Sequence, residues 1–398
     1  MIYLLLFPLL LVQASRDTLS LDAAQARARA QRGQPRATAA LVAAARAGVR
    51  VAGTVPNPIG TYSYTEDTPR QHVSLEQSFD WLLTRGAGRQ AASSAVRRAE
   101  ADSVLAMAAL MAEVRVAFYG VHAAGELARL TTEQRVLADS LARLGAERLA
   151  RGDIAEQERD QLLLEATRAA QRESRAREAA AVAWARLARS IGLGQTAPPP
   201  PLGGSLGDGL AVQPAGVAPV PPLDAVPSVA SAVADSAAAA ARARSAARAR
   251  VPLPSVQLGA DWDDPSNRDS FLALFGVSLP LPLWQHGGGA KQLADAEAAQ
   301  AGATTAEARL ETARAMAEAA TRLKETHDRA VVARDSLLPV ARRIRVRATA
   351  AYRLGETGLI ALLEALRAER DVTAEAVDEL LAFQEARAAW NQVLGEAE

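Results

Sequence analysis

The side chains able to do chemistry are few and scattered. The 398-residue chain has no cysteine, which excludes disulfides, thiolate metal sites and cysteine nucleophiles. Its four histidines, His72, His122, His286 and His327, fall in four different expected elements. None has a second histidine at the spacing that gathers two imidazoles around a metal, so they read as surface or pore residues. Asp261, Asp263 and Asp264 crowd one segment, but Pro265 and Asn267 follow. The glycine and distal glutamate of a calcium loop are missing, and the segment reads as an exposed loop. Gly287-Gly288-Gly289 precedes an expected helix, where a phosphate can sit on backbone N–H groups. No Lys-Ser/Thr follows it, and a strand-to-helix turn accounts for it. No catalytic constellation, cofactor site or metal site emerges, and the chain does not read as an enzyme.

The elements that carry these residues are mainly helical. Hydrophobic residues make up 49% of the chain but aromatics only 4%, because alanine dominates the apolar fraction. Alanine favours helix and lets helices approach closely, but it fills a thick globular core poorly. The 45 basic and 45 acidic residues balance, so no excess of positive charge points to nucleic acid. Residues 1–14 read as a signal peptide: Ile2 to Val12 is apolar, and Val12-Gln13-Ala14 resembles a small-residue cleavage site. No later segment offers 18 apolar residues in a row. A chain of this kind either stays soluble outside the cytoplasm or crosses a membrane as strands.

The chain is a duplication. Val55-Pro56-Asn57-Pro58 returns as Val251-Pro252-Leu253-Pro254, and Gly86-Ala87-Gly88-Arg89-Gln90 as Gly288-Gly289-Ala290-Lys291-Gln292. Leu149 to Asp153 returns as Tyr352 to Glu356, and Leu187 to Gly192 as Trp390 to Gly395. Four landmarks in one order define repeats over residues 15–197 and 223–398. Between them, residues 198–222 are rich in Pro and Gly and read as an irregular or disordered connection. Each repeat predicts a helix, two strands, a very long helix, a small turn and a return helix.

The strands are expected at about 55–66, 71–83, 253–263 and 270–283. Val73, Leu75, Phe79 and Trp81 alternate with His72, Ser74, Ser78 and Asp80. Phe271, Phe275, Val277, Leu279 and Leu281 share one face of the last strand, with Ser270, Gly276 and Ser278 opposite. Such alternation fits a half-buried hairpin, or a membrane strand of about 9–11 residues with an apolar outer face. The long helices span about 88–150 and 290–353, with Pro339 their only proline; each extends roughly 95 Å at 1.5 Å per residue. Leu130, Leu137 and Leu144 repeat at heptad spacing, interleaved with Leu127 and Leu141, which is coiled-coil spacing.

The duplicated order, the Gly-Ala-Gly-Arg-Gln segment after a hairpin, and Tyr352-Arg353-Leu354-Gly355-Glu356 leading into Leu362-Leu363-Glu364-Ala365 resemble the TolC family of outer-membrane efflux proteins. The similarity spans essentially the whole chain after residue 14. It implies a mainly α fold with a small membrane β part. Duplicated long-helix hairpins would form a trimeric α-helical barrel, and four strands per protomer would enter a shared twelve-stranded β-barrel. The implied role is a passive duct of a tripartite efflux system, in the outer membrane with a large periplasmic part. The implied partners are outer-membrane lipid, a periplasmic adaptor and an inner-membrane pump. The compact second tip is similar to that of the branch paired with heavy-metal cation pumps, and drug export fits as well. The alternatives are a periplasmic adaptor, which usually has a single hairpin, and a secreted coiled-coil structural protein without a pore.

The resemblance assigns roles to particular residues. The tips at 151–154 and 354–357 would dock the adaptor through Arg151, Gly152, Asp153, Leu354, Gly355, Glu356 and Thr357. Such a turn is expected to leave carbonyls unpaired at the preceding helix end, for an adaptor helix to cover. Glu364 would stand in the pore mouth, where family members can carry aspartates; Ala361 cannot supply a second carboxylate. Val73, Leu75, Phe79, Trp81, Phe271, Phe275, Val277, Leu279 and Leu281 would face lipid.

Overall fold

The computed structural model describes residues 18–194, 199–211, 221–262 and 272–396. The expected signal peptide at 1–14 lies outside them, as do Asp263, Asp264 and Phe271. The fold is mainly helical with one small sheet. In chain order the elements are α1 (Leu21–Gln31), α2 (Gly33–Gly53), β1 (Ile59–Tyr64), β2 (Gln71–Ser78), α3 (Trp81–Ala150), α4 (Glu156–Ser190), α5 (Pro227–Arg248), β3 (Ser255–Trp262), β4 (Leu272–Ser278), α6 (Gly288–Val332), α7 (Leu338–Leu354) and α8 (Leu359–Leu394). The duplicated order expected from the landmarks is present. The expected helix over 290–353 is interrupted. A π-helical turn at Ala333–Leu337 separates α6 from α7, and Pro339 sits in the first turn of α7. Proline has no N–H to give the preceding turn, and a π-turn re-registers the ladder around it.

The chain divides into two compact units. One, built from residues 34–106 and 221–315, holds the sheet with α2, α5 and the starts of α3 and α6. Its four antiparallel strands run in the order β1-β2-β3-β4. The β2–β3 pairing joins the two repeats and leaves β1 and β4 as edges. All four strands are shorter than their sequence patterns. Pro56 and Pro58 precede β1, Pro252 and Pro254 precede β3, and Pro280 and Pro282 follow β4; none can donate to a ladder.

The other unit, residues 1–33, 107–220 and 316–398, is a helical bundle. Leu110, Met111, Val114 and Phe118 of α3 pack with Leu187 and Ile191, and with Val377 and Phe383 of α8. α3 contains a window long and apolar enough to cross a membrane, but 44% of it is buried within the structure. Core packing accounts for that apolar stretch. The described part of the connection between repeats is built into this core. Leu206 and Leu210 are buried, and Gln384 Nε2 donates to the carbonyls of Leu206 and Asp208 at 3.0 and 2.8 Å. His122 and His327 meet the carbonyls of Gly203 and Leu210, each at 3.2 Å. These two histidines are therefore anchors, which corrects their reading as surface or pore residues. Burial holds the His122 imidazole below its ordinary pKa, against the opposing pull of the Gly203 carbonyl.

Candidate functional site

The register of the sheet sorts its side chains. Residues paired across antiparallel strands share a face. Tyr62 pairs with Val73, Leu75 with Leu258, Leu258 with Phe275, and Val256 with Val277. Tyr64, Ala260, Trp262 and Ala273 share this mostly apolar face, with Gln71 and Gln77 its polar exceptions. The other face carries Thr61, Ser63, His72, Ser74, Glu76, Ser255, Gln257, Asp261 and Ser278, with Ile59, Leu272 and Leu274 the apolar exceptions.

The sheet does not bury its apolar face as a water-soluble sheet would, and Thr61, Ser63, Gln257 and Ser278 of the polar face are exposed as well. On the apolar face, Phe275 is 71% exposed, and Tyr62, Leu75, Leu258 and Val277 are also exposed. On the polar face, Ser255 and Asp261 are buried. His72 Nδ1 lies 2.9 Å from Asp261 Oδ1, while the Ser255 hydroxyl meets Glu76 and, at 2.7 Å, Ser278. Water does not favour apolar side chains outward and hydrogen-bonded ones inward.

Four of the expected lipid-facing residues, Val73, Leu75, Phe275 and Val277, come together on the apolar face. Four others lie elsewhere. Phe79 follows the end of β2, and Trp81 is the first residue of α3. The Trp81 indole donates to the Ser78 carbonyl at 3.0 Å, and the Arg85 guanidinium lies 5.6 Å from its ring centre. Alternation continued through Leu83 in the sequence, but Asp80 interrupts the strand, and Ser78 bonds its carboxylate. Leu279 and Leu281 lie beyond β4 among prolines, and both are exposed.

The helical tips form a second cluster. Gly152 and Gly355 have φ of 78° and 79°, the left-handed backbone that glycine adopts without a Cβ penalty. Asp153 N–H donates to Arg148 and Gly152 N–H to Leu149, both at 2.9 Å. Glu356 and Gly355 repeat this pattern onto Ala351 and Tyr352 at 2.9 and 3.1 Å. Each tip is thus a Schellman motif, and the expectation of unpaired carbonyls at these positions is corrected. Arg151, Gly152, Asp153, Leu354, Gly355, Glu356 and Thr357 are all exposed.

One arginine joins the tips. Arg148 Nη2, in the last turn of α3, donates to the carbonyls of Tyr352 and Arg353 at 3.1 and 3.0 Å, and its guanidinium lies 5.0 Å from the centre of the Tyr352 ring. Tyr352 is 1% exposed, packs with Leu141, Leu162, Leu359 and Leu362, and donates its hydroxyl to Glu158 Oε1 at 3.2 Å. Burial first, then Glu158, pushes the Tyr352 phenol above its ordinary pKa, so it remains a donor at neutral pH. Sequence reading named Tyr352 as a repeat landmark and as part of the segment that carries the resemblance, without a contact, and missed Arg148; a basic residue in a helix's last turn was the available signal.

Glu364 is exposed on α8, off the face of the buried Leu362 and Ala365. The buried carboxylate nearby is Glu369, which accepts from Arg345 Nε at 2.6 Å. Burial outweighs the attraction of Arg345 and holds this carboxyl above its ordinary pKa. The folded state therefore binds the proton more tightly than the unfolded chain. The resulting stability is present below the ordinary carboxylate pKa and is lost as pH rises through the elevated value. Glu369→Gln keeps an acceptor for Arg345 and should flatten this dependence. Urea midpoints at pH 5 and pH 8 should lie closer together in the variant than in the parent; an unchanged gap would remove Glu369 as its source. Among the described residues, no group of three His, Cys, Asp or Glu is arranged to hold a metal.

The helical bundle, the paired hairpin tips and the small four-stranded antiparallel sheet define the fold of solved outer-membrane channel proteins. No family model and no curated protein matches the sequence. The outer membrane protein VceC of Vibrio cholerae superposes with a TM-score of 0.75 at 16% identity, over 95% of this chain and 97% of that one. A membrane protein from Pseudomonas aeruginosa gives 0.75 at 20% identity, over 94% and 90% of the two chains. The open state of the MtrE outer membrane channel of Neisseria gonorrhoeae gives 0.71 at 15% identity, over 95% and 89%.

Proposed function

We propose that the chain is a passive outer-membrane duct, a homotrimer that carries small substrates such as metal cations or drugs outward from a periplasmic adaptor and an inner-membrane pump. One observation carries this reading. The sheet leaves its mostly apolar side exposed, buries only Ser255 and Asp261 of its polar side, and ends in two unpaired edges. Each unpaired backbone group in lipid costs several kcal/mol. Four strands in a bilayer therefore need other strands on β1 and β4, and a ring of identical sheets supplies them. The descriptions of similar solved structures, outer membrane channels among them, support the same role. An adaptor or a pore-less secreted protein gives no reason for an outward apolar sheet. The test is the purified chain in detergent. A trimer that forms ion-conducting pores in planar bilayers is expected; a folded, monodisperse monomer without conductance would sink the reading.

In this duct the tips dock the adaptor. Their exposed side chains and compact Schellman turns let a partner helix approach closely. Gly355→Leu should impair efflux severely while trimers persist in the membrane, because a branched side chain is strained at φ 79° and blocks the approach. Gly355→Asn, which tolerates this backbone, should lose less. Equal efflux by parent and Gly355→Leu would remove the docking role. Glu364 is assigned to the pore mouth, where a threefold ring of carboxylates attracts cations. Glu364→Gln should weaken divalent-cation block and cation preference in single-channel recordings; unchanged block and selectivity would take Glu364 off the pore.

A further inference from the structure

The chain is neutral overall, but in the sheet-bearing unit basic residues outnumber acidic ones at one margin, where Glu76 and Asp80 at the end of β2 are the acidic exceptions. Residues 33–64, 81–99, 236–260 and 279–294 contain no Asp or Glu. These stretches hold the ends of α2 and α5, the starts of α3 and α6, and the connections to the strands. They bring Arg50, Arg85, Arg89, Arg248, Arg250 and Lys291 to one margin of the sheet, where β1 and β3 begin and β2 and β4 end. The opposite margin carries Glu66, Asp67 and Asp261, with Arg70 its one described arginine. Hydrogen bonds fix the basic margin in place. Arg85 Nε donates to the Gly53 carbonyl at 2.8 Å, and Arg250 Nε to the His286 carbonyl at 3.2 Å. Arg50, Arg89 and Arg248 are exposed.

An apolar strip lies along the same margin. After β4, Leu279, Leu281 and Leu283 are exposed, and Trp284 is 89% exposed. Pro280 and Pro282 between them present no N–H groups needing partners. Leu82 is exposed beside Trp81 at the start of α3. The strip follows directly on β4 in the chain. An amphipathic indole next to aliphatic side chains, bordered by arginines, matches the boundary between acyl chains and headgroups. Water alone gives no reason to hold this strip outward.

We propose that this margin binds the phosphate headgroups of anionic phospholipids, with Leu281, Leu283 and Trp284 seated at the acyl boundary and Arg50, Arg89 and Arg248 on the phosphates. The proposal rests on the membrane reading above and adds the lipid class and the residues. It also orients the sheet, with the helices on the anionic phospholipid side.

The test uses the full chain purified in nonionic detergent. Lipid retention is measured by native mass spectrometry with phosphatidylglycerol or phosphatidylcholine. Flotation with phosphatidylcholine vesicles measures insertion separately. A basic residue near an anionic surface adds about fivefold to binding. The parent should favour phosphatidylglycerol by more than about tenfold, and the triple variant R50Q/R89Q/R248Q should lose that preference while floating normally. Lysine at the same three positions should retain it. Equal retention of the two lipids by the parent, or an undiminished preference in the glutamine variant, would overturn the headgroup assignment and leave the membrane reading standing. A parent that does not float would overturn both.

Discussion

Phe275→Arg is expected to cost the membrane-inserted protein about 2–4 kcal/mol, the penalty of an arginine on the lipid face of a barrel near the bilayer midplane. Phe275 is the fourth of seven residues in β4, pairs with Leu258, and is the most exposed of the large residues on the apolar face. In water the same change would be almost neutral, because an exposed phenylalanine gives up little on replacement. The size of the effect therefore reports the solvent around the sheet as well as the face. Ser278→Arg is the control. Ser278 lies on the polar face, hydrogen-bonded to Ser255, and an arginine there should cost clearly less. Urea titrations of folding into lipid vesicles would measure both. Equal tolerance would mean that the faces are misassigned, and a near-zero cost for Phe275→Arg would mean that this face meets water.

The second large effect is expected at the tips. Tyr352→Ala removes one of the largest fully buried side chains, and truncating a buried aromatic costs about 3–5 kcal/mol. It also takes the ring from Arg148 and the hydroxyl from Glu158. Tyr352→Phe keeps the volume and the ring but leaves Glu158 without its donor, a loss of about 1 kcal/mol for one hydrogen bond. In the proposed duct, this cluster holds the second hairpin against the first. Loosening it should raise pore conductance in the order parent, Tyr352→Phe, Arg148→Ala, Tyr352→Ala. Single-channel recordings on each purified variant would test the order. Conductance unchanged in all three variants would show that the cluster only stabilises the fold and does not restrain the tips.

Much of this was legible in the residues alone. The duplication follows from four landmarks in fixed order, and the helices from alanine content and the distribution of proline. Gly152 and Gly355 announce their turns because the left-handed backbone is a local property that glycine tolerates best. The alternation that sets Val73, Leu75, Phe275 and Val277 apart from their polar neighbours is equally local, since successive side chains on a strand point to opposite faces. The strand ends were less legible. Alternation ran on through Trp81 and Leu281, but the short-range bonds of Ser78 and Asp80 and the missing donors of Pro280 and Pro282 ended the ladders earlier.

Only the tertiary structure decided what meets across the chain. Arg148 and Tyr352 are about two hundred positions apart, and no periodicity links them. The same holds for His72 with Asp261, and for the two histidines that hold the inter-repeat connection. Alternation divides a strand into two faces, but that Ser255 and Asp261 are covered while Gln257 between them is not depends on the strands paired beside them. Local propensities act through neighbouring backbone and side-chain sterics, so they can be read in short windows. Burial and long-range hydrogen bonds depend on every element that closes around a residue, and those are known only once the chain has folded.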